Sequence, residues 1–476
     1  MKQITKTAYG PFARLAMATT LSVASWLLLA SPPPAFSQAD TGRITGTVND
    51  SAGAVVPAVD VVITAVDTNR RFTATTDEAG RYSSPPLRAG MYQLEAEVSG
   101  FKRLVRQGIA LAVQETAIVN LQLELGAVTE QVTVTAAQDL IQTVDASQGQ
   151  VIEARRVADL PLNGRDYLQL SLLSEGALEP PGQGRSATGA NSGTESRAGG
   201  FSAGGLRTTD NNYLLDGFDN NTDDTSFDSN QAESVKPSVD AIQEFKVQTN
   251  AYSAEFGRAA GGVVNLTLKS GTNQFHGSAY EFLRNDNLDA RNFFDPAVQP
   301  PFIRNNYGAS FGGPLVANRA FFFVAYEKLD RRESRTVNNT IPTAKMRTGN
   351  FSELANPIYD PLTYDAATRT RQPFPGNIIP ENRIDAVARQ LIDFYPDPQN
   401  TRLSQNYVFN PPDREKVNRF NTRNDFQLSD KDQISWMFNY QSNNIPASTG
   451  LPAPAFGGNT RATDVTGYST CLLLHI

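Results

Sequence analysis

Near the end of the chain, apolar and polar side chains alternate through two neighbouring runs, 420–428 and 434–441. A period of two is that of a β-strand, whose successive side chains point to opposite faces. The polar turn 429–433 joins the runs into a hairpin. One face carries Phe420, Phe426, Leu428, Ile434, Trp436, Phe438 and Tyr440. Because the other face is largely polar, the pattern is typical of a barrel wall between lipid and a polar interior. A soluble β-protein with one buried face is the alternative.

Similar runs precede this hairpin. Residues 307–315 alternate apolar or aromatic positions with Gly and Ser, and 321–326 form a strongly apolar strand with aromatic ends. About six candidate strands lie between Gln274 and Ile476, fewer than the eight of the smallest bacterial barrels. The last part of the chain is therefore expected to form part of a barrel wall.

The region from Gly42 to Gly126 alternates in shorter runs. Strand-length runs are 44–48, 59–64, 72–76, 81–83, 92–98 and 117–125. Turn residues, such as those at 77–80, separate them. Short strands at this spacing predict a small β-sandwich, and about 85 residues can bury one modest core.

Between these two β regions the pattern weakens. Residues 151–160 predict a short helix that ends before the turn beginning at Pro161. Residues 174–205 are rich in Gly, Ser and Ala and predict a loop. The middle of the chain is thus expected to mix helix, strand and loop.

The N-terminus has the pattern of a targeting segment. Lys2, Lys6 and Arg14 precede the mostly apolar stretch 15–30, and small residues follow at 35–37. This order predicts a secretory signal peptide, 1–37, that is cut near Ser37. A membrane anchor is the alternative, but a spanning helix needs about 20 apolar residues. The protein is therefore expected to be exported.

Composition excludes several classes of chemistry. The 476 residues include one cysteine, Cys471, so no intramolecular disulfide or Cys-rich zinc site is expected. Two histidines, His276 and His475, leave little for a His-based metal or acid–base centre. The net charge of −7 disfavours nucleic acid as a partner. We expect no cofactor, no metal, no catalytic residue and no enzyme activity.

Two motifs nevertheless suggest specific chemistry. Residues 200–204 match G-x-S-x-G, the nucleophile elbow of serine hydrolases, but a Gly/Ser-rich loop precedes them instead of a strand. An acidic cluster could suggest calcium: Asp210, Asp216, Asp219, Asp223, Asp224 and Asp228. Counted from Asp219, the sixth position is not Gly and the twelfth is not Glu, so the EF-hand pattern fails. A solvated loop is the expectation, with an irregular calcium site as the alternative.

The strand-rich region 41–126 resembles a known module. Gly46-Thr47-Val48, the run 76–82 and Gly100-Phe101 closely resemble the carboxypeptidase regulatory-like domain. The resemblance implies a transthyretin-like sandwich, also grouped with carbohydrate-binding-like folds. It does not imply peptidase activity, because the region contains no histidine to bind zinc.

A β-branched run follows at 127–137. The residues Glu130, Gln131, Val132, Thr133 and Val134 resemble a TonB box, the segment by which outer-membrane receptors engage the energy-coupling protein TonB. An extended strand can add to the edge of a partner's sheet through main-chain hydrogen bonds. The alternative is that the segment is simply the last strand of the sandwich, or a linker.

The region 138–272 is similar to the plug domain of TonB-dependent receptors, in particular the Oar-like group, which carries the regulatory sandwich in front. The motif residues are Asp216, Gly217, Glu255, Phe256, Gly257, Gly261 and Gly262. The order of the motifs is more specific than any one of them. It implies a mainly β chain: an N-terminal β-sandwich, an α+β plug domain, and the first strands of an incomplete transmembrane β-barrel at 273–476.

The resemblance implies a TonB-dependent outer-membrane receptor that binds an extracellular ligand and imports it. Its implied partners are TonB with its inner-membrane energising complex, outer-membrane lipid, and an extracellular ligand such as a glycan or a siderophore. The alternative is a surface carbohydrate-binding or adhesion protein that uses the sandwich for recognition.

Length leads to one more expectation. A plugged barrel of this type has about 22 strands of about 9–11 residues, more than 274–476 can hold with loops. The last eight residues also lack the terminal aromatic typical of such barrels and carry Cys471. The sequence is therefore expected to be a fragment or a frameshifted product of a longer receptor.

Overall fold

The computed structural model describes residues 41–126, 131–135, 147–160, 162–179, 200–222, 233–257, 259–290, 299, 301–334, 336–429, 432–445, 450–452, 455 and 463–475. All of them lie in one compact unit, Ala39–Ile476. The predicted signal peptide lies outside the described residues. Among the helices that are described, none combines the length and the apolar character that a membrane span requires.

The first region is a β-sandwich, as the strand spacing predicts. Its strands are β1 (Thr41–Asp50), β2 (Asp60–Ala65), β3 (Arg71–Thr75), β4 (Arg81–Ser83), β5 (Leu87–Arg88), β6 (Gly90–Glu97), β7 (Arg103–Leu111), β8 (Thr116–Ile118), β9 (Leu121–Leu123) and β10 (Gln131–Thr135). In one sheet β1 pairs with β4, β5, β8 and β9, and the other has the order β10-β7-β6-β2-β3. Alternate side chains such as Val61, Ile63 and Leu94 meet between the sheets and are fully buried.

Strand β7 was missed by the pattern. Gly108 lies within it at φ +77°, where the register with β6 shifts between Tyr92 and Leu94. Such a glycine bulge adds a residue and interrupts the period of two. The predicted strand 117–125 also divides into β8 and β9.

The middle region contains a five-stranded sheet in the order β11-β16-β17-β14-β15. We call it the plug sheet, after the plug domain that the sequence predicts at 138–272. Its elements are β11 (Gln148–Glu153), α1 (Ala154–Asp159), β12 (Ala177–Leu178), β13 (Ser202–Ala203), β14 (Asn212–Leu215), β15 (Phe218–Asp219), β16 (Ile242–Asn250) and β17 (Val263–Leu268), with 3₁₀ helices at Asn163–Arg165, Tyr167–Leu173, Thr208–Asp210 and Val239–Ala241. The helix predicted at 151–160 is shorter, because residues up to Glu153 pair with β16 and bury Ile152 opposite Phe245.

The last region forms the wall sheet, in the order β18-β19-β20-β23-β24-β25. Its strands are β18 (His276–Asn285), β19 (Phe302–Val316), β20 (Ala320–Ser334), β23 (Pro412–Gln427), β24 (Gln433–Ile445) and β25 (Thr463–His475). Between β20 and β23 lie β21 (Val337–Asn339), α2 (Ala344–Arg347), α3 (Ala386–Ile392) and β22 (Tyr407–Phe409), with 3₁₀ helices at Pro361–Thr363, Pro375–Asn377 and Glu381–Arg383; another, Asp286–Leu288, follows β18.

The wall sheet has the two faces that the alternation predicts. Its inner face packs against the plug sheet, with Phe323 and Ala325 in the plug's core cluster. Trp436 and Phe311 on the outer face are exposed. Within the described residues β18 and β25 each pair on one side, so the barrel is not closed. The expected mainly β fold with about six wall strands is confirmed.

Candidate functional site

The TonB-box-like segment is a strand of the sandwich. β10 pairs in parallel with β7, with Gln131 opposite Arg103, Thr133 opposite Val105 and Val134 opposite Arg106. Val132 is partly buried and packs against the sandwich core. Glu130 lies outside the described residues. In this structure the segment therefore forms the last strand of the sandwich, which is one of the alternatives that the sequence left open.

Asp216 and Gly217 form the tight turn between β14 and β15. Both have positive φ, +49° and +81°, and Leu215 pairs with Phe218 across the turn. A two-residue hairpin loop with two positive φ angles favours Asp-Gly, because glycine adopts this conformation without strain. The turn points the Asp216 carboxylate toward the wall sheet.

Asp216 forms a fully buried ion pair with the wall sheet. Arg423 Nη1 on β23 lies 2.6 Å from Asp216 Oδ1, and both side chains are about 1% exposed. Asp216 Oδ1 also accepts from the backbone N–H of Leu268 at 3.0 Å, and Arg423 donates to the Leu268 carbonyl at 3.2 Å. Loss of one partner of such a pair leaves an uncompensated buried charge, which costs about 3–5 kcal/mol.

The second half of the plug motif lies at the start of β17. The backbone N–H of Gly261 donates to Asp210 O at 2.9 Å, and that of Gly262 donates to Asn211 Oδ1 at 2.7 Å. A Cβ at Gly261 would lie 2.3 Å from Asn211 Oδ1. The glycine pair therefore allows the close approach that brings β17 alongside β14.

The remaining motif residues lie in an exposed turn. Glu255 and Gly257 are exposed, and Phe256 is partly exposed. The Gly257 carbonyl accepts from Asn212 Nδ2 at 3.0 Å, which attaches the turn to the first residue of β14. The plug-motif residues therefore lie at both ends of β14: Asp216 and Gly217 follow its last residue, and the other motif residues lie near its first. The box-like strand lies on the sandwich.

Arg165 links the plug to the first wall strands. Its guanidinium forms an ion pair with Asp240 and lies 3.7 Å from Glu327 on β20. It also stacks over Tyr280 and Phe282 of β18, 4.5 and 4.4 Å from the ring centroids. A planar cation can combine ion pairing with stacking in this way.

A second buried polar cluster surrounds Tyr167. Its hydroxyl donates to Glu233, which is 4% exposed, and Lys236 Nζ lies 2.5 Å from Asp166 Oδ1. Burial raises the pKa of Glu233 to about 7, although Lys236 and the Tyr167 hydrogen bond oppose the rise. Burial also raises the pKa of Tyr167 well above its usual value. The cluster therefore holds a carboxyl that can change charge near neutral pH.

The sandwich contacts both other regions. Arg88 lies 2.6 Å from Asp425 on β23, whose other oxygen accepts from Ser270 at the end of the plug region at 2.5 Å. On the plug side, the backbone N–H of Val113 donates to Glu244. Each buried carboxylate thus receives a partner from a different region of the chain.

These partners were not found from the sequence. Arg423 and Asp425 stand out as charged residues in an alternating strand, but alternation places them on the inner face without naming what they meet. Arg88 and Arg165 lie in short, irregular segments without a recognisable pattern. These partners are far apart in the chain; Asp216 and Arg423, for example, are separated by 207 positions.

The residues of the G-x-S-x-G motif have structural contacts. Ser202 lies in the two-residue strand β13, and its Oγ donates to the Leu206 carbonyl at 2.6 Å. A nucleophile elbow needs a helix directly after the serine, whereas the described residues there continue into a turn.

The acidic cluster is divided by the fold. Asp216 pairs with Arg423, while Asp210 accepts from the backbone N–H of Arg207 at 3.1 Å. Asp223, Asp224 and Asp228 lie outside the described residues. Among the residues that the structure covers, no group of three or more His, Cys, Asp or Glu side chains is placed to hold a metal ion.

Two family models match the regions described above. Residues 43–124 match the carboxypeptidase regulatory-like domain, and residues 267–470 match an outer membrane beta barrel domain. Over 339 residues, 68% of this chain, the sequence is 30% identical to the TonB-dependent transporter Oar of Myxococcus xanthus. Over that stretch the chain is similar in sequence to a TonB-dependent transporter of the Oar type. The barrel match and this homology indicate an outer-membrane protein.

The chain spans 30% of the length of its Oar relative. Solved structures that match part of the chain include the outer membrane transporter YddB from Escherichia coli, at 13% identity and TM-score 0.40 over 68% of this chain and 36% of that chain. A ferric enterobactin receptor from Pseudomonas aeruginosa has 12% identity and TM-score 0.36 over 67% of this chain and 37% of that chain.

Proposed function

We propose that this chain belongs to a TonB-dependent outer-membrane transporter that binds an extracellular ligand and imports it. The observation that carries the proposal is the 30% identity to Oar over 339 residues, 68% of this chain. Transport of this kind requires no covalent chemistry, so the proposed protein is not an enzyme.

The connections of the wall sheet support an orientation in the membrane. Turns at 317–319 and 428–432 are short, whereas 335–411 joins β20 to β23 at the opposite end. Outer-membrane barrels have short periplasmic turns and long extracellular loops. Asn69 of the sandwich donates to Asn318 in a short turn at 3.0 Å, so the sandwich is proposed to face the periplasm.

A periplasmic sandwich would place the box-like strand where TonB can reach it. In the proposed mechanism TonB adds a strand to residues 130–134 and pulls, and the plug rearranges. The buried contacts of Asp216 and Arg165 with the wall sheet are the interactions that such a rearrangement must break. The ligand is proposed to bind from the long-loop side.

A peptide spanning residues 128–137 tests the coupling step. A purified TonB C-terminal domain should bind it, and Val132→Pro should abolish binding because proline removes a backbone N–H and constrains the strand. Val132→Thr keeps a β-branched residue and should still bind. If TonB does not bind the unmodified peptide, the assignment of the box is wrong.

A further inference from the structure

The sheet pairing of β10 has a mechanical consequence. Five consecutive residues, Gln131 to Thr135, pair with Arg103 to Gln107 of β7 in one register. Without β10, that row of β7 would be the edge of its sheet, because the order is β10-β7-β6-β2-β3. Folded proteins cover such edges, since exposed edge strands pair readily with other chains.

The side chains of β10 also contribute to this contact. Of the two that the structure describes, Val132 packs against the sandwich core and Thr133 is exposed. Opposite Val132 lies Leu104, which is 6% exposed and belongs to that core. A strand-adding partner reads backbone groups and alternate side chains together. A partner that adds a strand to β10 would therefore need to contact Val132, which already packs against the sandwich core.

We propose that the sandwich acts as an internal holder of the box-like strand: β7 keeps β10 docked, and TonB can add its own strand only after β10 leaves β7. This inference rests on the proposed function, because it assumes that TonB binds this segment. The sandwich would then be an autoinhibitory module that competes with TonB for one strand. Docking through a single row of five residue pairs is small enough to be reversible.

A disulfide across the β10–β7 pair tests the proposal in the full chain. Thr133→Cys with Val105→Cys, in a Cys471→Ser background, joins two residues that lie directly opposite each other. The matched control is Thr133→Cys with Gln107→Cys. Two residues of offset place that pair roughly 8 Å apart, beyond the ~7 Å that a disulfide can bridge.

The first readout is oxidation. The in-register pair should form a disulfide in the purified protein and the offset pair should not. If neither pair forms it, or if both form it equally well, docking in this register is wrong.

The second readout is affinity for a purified TonB C-terminal domain. Both variants should bind equally when reduced, which also shows that they fold. Oxidation should lower the affinity of the in-register variant by at least about tenfold and leave the offset variant unchanged. If the in-register variant binds TonB equally well when oxidised and when reduced, the proposal that β7 withholds β10 from TonB is wrong. The proposed function would still stand, because TonB would then use another edge. Binding in neither state, together with failure of the peptide to bind, would overturn both.

Discussion

Glu244 illustrates how one buried carboxyl connects two regions of the chain. It lies on β16 of the plug sheet, is 7% exposed, and accepts from the backbone N–H of Val113 in the sandwich. Burial raises its pKa to about 7; the Val113 hydrogen bond and Lys246 lower it, while Glu115 and Glu153 raise it further. Because the folded state favours the protonated form, Glu244 makes stability depend on pH.

The sign of this dependence follows from the two pKa values. Unfolded, Glu244 titrates near 4.5, and folded it titrates near 7. The stabilisation that protonated Glu244 contributes to the free energy of unfolding is therefore complete below about pH 4.5. It is lost as the pH rises through 7. Glu244→Gln keeps an acceptor for Val113 but cannot ionise. The variant should equal the wild type near pH 4.5 and exceed its free energy of unfolding by up to about 3 kcal/mol at pH 8.

Urea unfolding in detergent, followed by the fluorescence of Trp436, measures the difference. Glu78→Gln, at an exposed position of the sandwich, controls for the loss of one negative charge. Parallel pH curves for the wild type and Glu244→Gln would contradict the prediction.

At the scale of elements, the β23–β24 hairpin shows why alternation was informative. In this hairpin Phe420 and Phe438 lie on the outer face, with ring centroids 6.3 Å apart. Arg423 and Asn439 point inward and are almost fully buried. Thr422 and Asn424 also lie on the outer face, between Phe420 and Phe426, so the alternation identified the strand although not every outer residue is apolar.

Phe438→Lys tests whether the outer face contacts lipid. A lysine near the middle of a barrel wall costs about 2–4 kcal/mol, and near the interface about 0–1 kcal/mol. Phe438 should therefore show the large effect when unfolding is measured in phospholipid vesicles. Asn444→Lys, near the long-loop end of β24, should show the small one. Equal effects at both positions would mean that this face is not immersed in lipid.

At the scale of the whole molecule, Asp425 is the point where three regions meet. It contacts Arg88 of the sandwich at 2.6 Å, Ser270 at the end of the plug region, and Arg423 of its own strand at 3.4 Å. Arg423 in turn pairs with Asp216 in the plug. A displacement of the sandwich would therefore change the charge balance at the plug.

Arg88→Met should loosen the sandwich from the wall sheet without unfolding it. The change leaves Asp425 with less positive charge around it, and truncating one partner of a buried pair costs about 2–5 kcal/mol. Hydrogen exchange should become faster at the backbone of Leu428 and Ser429, in the turn that follows β23, while strands inside the sandwich keep their protection. Arg81→Met, which removes an exposed pair with Asp77, should leave exchange at that turn unchanged. Equal protection in Arg88→Met and the wild type would show that the sandwich is held by other contacts.

Local patterns were sufficient to predict most elements. Alternation predicted the wall strands, and turn residues predicted most strands of the sandwich. The failures have physical causes. Gly108 interrupts β7 with a bulge, and residues up to Glu153 pair with β16 instead of forming a helix. In the first case a bulge broke the period of two, and in the second a partner strand overrode the local preference.

By itself, the sequence determined the order of sandwich, plug and wall, and which face of each wall strand is polar, because these properties depend on neighbouring residues. Only the tertiary structure decided which residues the side chains and strand edges contact. It placed Arg423 on Asp216, Arg88 on Asp425, and the box-like strand on β7. A buried charge or a sheet edge is stabilised by whichever group reaches it in space, and that group can lie anywhere in the chain.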